Sequence, residues 1–77
     1  MNTLDKMIQD ILNYRGKDVL EGMQNVADRF NARDFDGIAE DCNDVVRDIQ
    51  DVFACDYFAA SKFFAAEMRA RYSINVE

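Results

Sequence analysis

Downstream of Gly37 the chain contains neither glycine nor proline, forty consecutive residues without a strong helix breaker. Within that stretch Ile38, Ala39, Cys42, Val45, Val46, Ile49, Val52 and Phe53 recur at helical spacing and share one side of an α-helix. Nothing in local propensity stops such a helix before Tyr72, which would give a rod of roughly 36 residues, about 54 Å long. A lone rod cannot bury its own apolar face, so the pattern predicts a break. Asp56 is the residue able to cap a helix restarting there.

The upstream half divides more plainly. Leu4, Met7, Ile8, Ile11 and Leu12 form one helical face, with Asn2 or Thr3 as N-cap and Gly16 suited to a left-handed C-terminal turn. Val19, Leu20, Met23, Val26, Ala27 and Phe30 form a second. Gly22 lies inside that second helix, where it costs about 1 kcal/mol relative to alanine. Close approach of a neighbouring helix explains a glycine at that position. The run NARDFDG then marks a turn, with Asp34 or Asp36 as the next N-cap. The expected fold is a single all-α domain over residues 1–77, a compact antiparallel bundle of three or four helices with short turns, spanning about 3–15, 18–32, 36–55 and 57–72. The tail SINVE is expected to be frayed or extended.

Charge is distributed unevenly along this framework. The chain of 77 residues carries a formal charge of −6. Residues 1–33 are balanced, whereas residues 34–56 hold eight acidic side chains against Arg47 alone. At ~100° per residue Asp41, Asp44, Asp48 and Asp51 fall within roughly 80° of one another, with Glu40 beside them and the apolar residues on the other side. Like charges at these spacings repel by some tenths of a kcal/mol per pair, and aspartate is a mediocre helix former. The helix N-terminus favours the first acids but does not reach Asp48 or Asp51. A solvated face with surplus acid is the ordinary explanation. The functional one is an anionic stripe that docks on a basic protein surface, its carboxylates standing where phosphates would.

Aromatic residues cluster just beyond. Phe53, Tyr57, Phe58, Phe63 and Phe64 place five of the nine aromatics within twelve residues. A wide core around the last helix accounts for them. An interface does so too, with Phe63 and Tyr72 as apolar anchors and Ala59, Ala60, Ala65, Ala66 and Ala70 allowing another helix to approach.

Catalytic chemistry finds little support. The absence of histidine removes the usual general base, the Ser–His and Cys–His nucleophiles, and His-containing zinc sites. Cys42 and Cys55 lie about 20 Å apart on one helix, too far to bridge, and serve as small hydrophobes. Asp-x-x-Asp occurs in DCND and DIQD, but both pairs belong to one helix, whereas magnesium-dependent all-α hydrolases draw carboxylates from two facing helices. A helix-turn-helix DNA reader would need a basic or amide-rich recognition helix, and the strongest helix here is acidic. Free nucleic acid and anionic membrane are poor partners at this charge. No apolar run nears the ~20 residues a span requires, no signal peptide is discernible, and a cytoplasmic location is expected.

The expected function is therefore a small acidic non-enzymatic binding protein, without cofactor or metal. Its contact residues would be Glu40, Asp41, Asp44, Asp48 and Asp51, with Phe63 and Tyr72 as apolar anchors. The partner would be a larger protein with a basic surface, such as one that binds nucleic acid. In size, charge and class the chain resembles small phage-encoded inhibitors, among them anti-CRISPR and DNA-mimic proteins. That resemblance rests on no motif and assigns no residue. The alternative is a self-associating helical assembly subunit, such as a homodimer, built through the aromatic last helix.

Overall fold

The computed structural model describes residues 3–76, apart from the side chains of Leu4 and Asp5. Four helices follow in order: α1 (Thr3–Arg15), α2 (Lys17–Asn31), α3 (Ile38–Phe53) and α4 (Tyr57–Tyr72). There is no strand among the described residues. The expected break is present, and its chemistry is as anticipated at Asp56. That residue is the N-cap of α4, its Oδ1 accepting from the Ala59 backbone N–H at 2.7 Å. The end of α3 is a feature that helical periodicity does not show. Ala54 takes a left-handed conformation (φ 52°, ψ 46°) that glycine usually supplies, and the Gln50 side chain donates to the Cys55 carbonyl at 3.3 Å.

α3 is the central element, packed principally against α2 on one side and α4 on the other. Val45, Val46 and Ile49 of α3 meet Val19, Met23, Val26 and Ala27 of α2 in the buried cluster, which Leu12 of α1 and Ala60, Phe64 and Met68 of α4 complete. The close-approach explanation of Gly22 holds: a Cβ there would lie 2.6 Å from Val45 Cγ2.

Other local expectations are corrected. Gly16 is not left-handed (φ −109°, ψ 26°). It is glycine because a Cβ would come within 2.9 Å of the Leu12 Cα, where the chain turns from α1 into α2 through one residue. Neither Asp34 nor Asp36 caps α3; Gly37 does so in a left-handed conformation without a side-chain cap. α3 accordingly starts two residues later than expected and ends two earlier. The turn before it is closed at α2 by a Schellman motif with Arg33 at the left-handed position: Asp34 N–H bonds the Arg29 carbonyl and Arg33 N–H the Phe30 carbonyl. The tail is not frayed at its start. Ser73 turns left-handed, Ile74 N–H bonds the Met68 carbonyl, and the Ile74 side chain is buried. The proposed cap Asn2 and the Leu4 side chain lie outside what is described, and within the α1 stripe Met7 is exposed while Leu12 is fully buried.

Candidate functional site

The acidic stripe lies on the flank of α3 that borders α2, not on the side opposite the core. Helix α2 presents Asp18, Gly22, Asn25 and Arg29 along one edge, spaced by three or four residues. α3 runs past that edge in the opposite sense, so Arg29 reaches Asp41, Gly22 faces Val45, and Asp18 acts on Asp48. A shallow depression of about 140 Å³ lies along this seam, lined by Gly22, Asn25, Asp41, Asp44, Val45 and Asp48.

The five predicted acidic residues separate into three environments. Asp41 is internally neutralised: the Arg29 guanidinium pairs with it, and also with Asp34 at 3.6 Å, and donates to the Asp36 carbonyl. This arginine ties the end of α2, the turn and the start of α3 together. Asp48 is half-buried beside the groove. Glu40, Asp44 and Asp51 are exposed. Among the described residues, no ion pair forms to Glu40, Asp44, Asp48 or Asp51. The uncompensated part of the stripe is thus shorter than expected, about 10.5 Å from Asp44 to Asp51 at 1.5 Å per residue.

One further acid joins the stripe only in the fold. Asp18 belongs to the balanced N-terminal half, yet the α2–α3 register brings it to the same surface. Its effect is felt at Asp48, whose carboxyl is pushed above its ordinary range by burial first, and then by Asp18, Asp51 and Asp44. A carboxyl raised on folding destabilises the fold at pH above its folded-state pKa, and that penalty disappears as protonation proceeds at lower pH. Asp48→Asn is therefore expected to raise stability at pH 7 by about 0.5 kcal/mol, the scale of a few like-charge helix pairs. In denaturant titrations the difference between variant and parent should close as pH falls through the carboxylate range. A difference that stays constant with pH would show that Asp48 carries no such penalty.

The two predicted apolar anchors are mostly inside. Phe63 is half-buried against Phe53, ring centroids 5.1 Å apart, beside Ile8 and Ile49. Tyr72 is half-buried, and its hydroxyl donates to Gln24 Oε1 of α2 at 3.3 Å. The aromatics that α4 does display are Tyr57 and Phe58, the latter 68% exposed with the Lys62 ammonium 4.8 Å from its ring centroid. They face the other side of α3 from the acids, where the Tyr57 hydroxyl donates to Asn43 Oδ1. Nothing in the sequence separates Phe63 from Phe58 as an anchor; only the rotation of α4 does. Both cysteines are free and half-buried, and burial pushes the Cys42 thiol up. No group of His, Cys, Asp and Glu side chains suited to a metal ion occurs among the described residues, and no helix there is long and apolar enough to cross a membrane.

Fold and surface define an acidic all-α domain of four helices with a one-sided carboxylate cluster at its α2–α3 seam. No known family profile matches this chain, and no curated protein or solved structure is significantly similar to it.

Proposed function

We propose that the protein is a binding module whose α2–α3 carboxylate face docks on a basic surface of a partner protein, in the place of a nucleic-acid backbone. The observation that carries this reading is the crowding of Asp44, Asp48 and Asp51 with Asp18, where burial and mutual repulsion hold Asp48 above its ordinary range and no ion pair among the described residues balances the group. Such a cluster lowers the stability of the free protein and gains free energy when arginine or lysine side chains arrive. Along α3 it presents about one carboxylate per 5 Å, somewhat sparser than the ~3.4 Å per phosphate along one DNA strand. A groove that accepts a phosphate strand would accept this edge, and its occupation would exclude the nucleic acid. An inhibitory role follows from that competition.

The test is charge reversal with Asp44→Lys and Asp48→Lys together. Partners captured from lysate by the parent protein and eluted at raised salt should be lost with the double variant, with affinity for the purified partner down roughly 100-fold. Far-ultraviolet circular dichroism should be unchanged, and nucleic acid should compete with the parent protein for the captured partner. Equal affinity of parent and variant across a salt series would reject the docking role.

A second reading, assembly through the last helix, is favoured by one observation: Tyr57 and Phe58 are exposed side by side at the start of α4. Sedimentation of Phe58→Ser beside the parent chain separates the two, because docking through the acids does not depend on Phe58.

A further inference from the structure

The turn between α3 and α4 is three residues long and contains no glycine, although its first residue, Ala54, sits in the left-handed region (φ 52°). An L-residue with a Cβ adopts that conformation at a cost. The same three residues would be unstrained in an α-helix. Part of the buried face, moreover, stays in phase across the turn. If residues 38–72 were wound as one helix at ~100° per residue, Val46, Ile49, Phe53, Ala60, Phe64 and Met68 would all lie within an arc of about 100°. These are core residues of both helices, all buried except the half-buried Phe53, while the buried Val45 and Ala65 flank the arc on its two sides. A single helix through the corner would therefore still present most of the buried face on one side.

We propose that residues 54–56 are a hinge, and that the chain exchanges α4 with a second copy of itself, each copy carrying α3 and α4 as one continuous helix. The two long helices run antiparallel, so α4 of each copy lies on α3 of the other. Ala60, Phe64, Met68 and Ile74 then meet the core residues they meet in the single chain, and the Tyr72–Gln24 and Arg71–Gln9 hydrogen bonds re-form between copies. Contacts are conserved in the exchange, so the balance is set at the hinge and by association. Left-handed Ala54 favours the open form; the Asp56 cap on Ala59 and the Gln50–Cys55 hydrogen bond favour the closed one. Short, strained hinge loops are where such exchange is expected. The inference is independent of the acidic face, which both forms present.

The experiment is refolding from denaturant at millimolar chain concentration, followed by sedimentation and by electron–electron distance measurement. Spin labels go on Ala39→Cys and Ser73→Cys in a chain with Cys42→Ala and Cys55→Ala, diluted into unlabelled chain so that only intrachain pairs are seen. In the exchanged dimer the labels separate to about 50 Å along the joined helix, longer than the 36 Å greatest extent of the single chain. Ala54→Gly relieves two closed hinges per dimer and should weaken dimerisation at least ~30-fold. Asp56→Ala removes two caps and should strengthen it by roughly tenfold. Three results would each overturn the proposal: a dimer that keeps the monomer's label separation, an Ala54→Gly chain that dimerises as tightly as the parent, or an Asp56→Ala chain that stays monomeric after concentrated refolding.

Discussion

Gly22→Ala is expected to lower stability by about 1–2 kcal/mol, although alanine is the better helix former by about 1 kcal/mol. The reason is the α2–α3 contact. The added Cβ would lie 2.6 Å from Val45 Cγ2, a distance real side chains do not tolerate. Val45 cannot yield easily, because it is buried and β-branched, with one strongly preferred rotamer in a helix. Forcing the helices apart costs up to about 3 kcal/mol in a packed core, which outweighs the propensity gain. The sign should invert in a Val45→Ala background. With Cγ2 gone, the nearest remaining atom of residue 45 is its Cβ, 3.7 Å away, an ordinary contact. A double-mutant cycle by chemical denaturation should therefore give a coupling of about 2 kcal/mol. A Gly22→Ala protein more stable than its parent would show that the helices are not as close as 2.6 Å implies.

Ile49→Ala should have the larger effect, about 3 kcal/mol. Ile49 is fully buried on the central helix, and Ile8, Phe53, Cys55, Ala59 and Phe63 lie around the depression beside it. Its truncation removes transfer free energy and opens a space that α1, α3 and α4 cannot all close over. A domain of this length has a total stability of roughly 4–12 kcal/mol, so the loss is a large share of it. The thermal midpoint should fall by about 12–24 °C. Val52→Ala on the same helix is the control: Val52 is only partly buried, so its cost should be near 1 kcal/mol. Equal losses at the two positions would mean that the core is not centred on Ile49.

The helices were legible in proportion to how one-sided they are. In α3 apolar and acidic residues occupy separate arcs, so periodicity alone found its buried face, Val45, Val46 and Ile49 included. In α4 the apolar residues surround the axis: Ala60, Phe64, Ala65 and Met68 are buried, while Tyr57 and Phe58 are exposed. Hence the sequence offers Phe63 and Tyr72 as anchors, although packing draws both half inside. The turn at NARDFDG and the cap at Asp56 are legible from their side chains, whereas the left-handed residues that close α2 and α3, Arg33 and Ala54, are not. Both adopt a glycine-like conformation that their identities do not announce.

The carboxylate cluster shows the same division. That acid concentrates in residues 34–56, and that Asp44, Asp48 and Asp51 share a side of one helix, follows from composition and the 3.6-residue repeat. Which of those charges remain uncompensated does not, since it depends on what the neighbouring helix brings alongside. Arg29 and Asp18 lie eleven residues apart on α2 and reach opposite ends of the stripe, the first neutralising Asp41, the second adding to the repulsion at Asp48. Periodicity acts along a single helix and is written in its own residues. The register between α2 and α3 is set by the gap at Gly22 and the side chain that fills it, a contact between residues twenty-three positions apart that only the folded chain brings together.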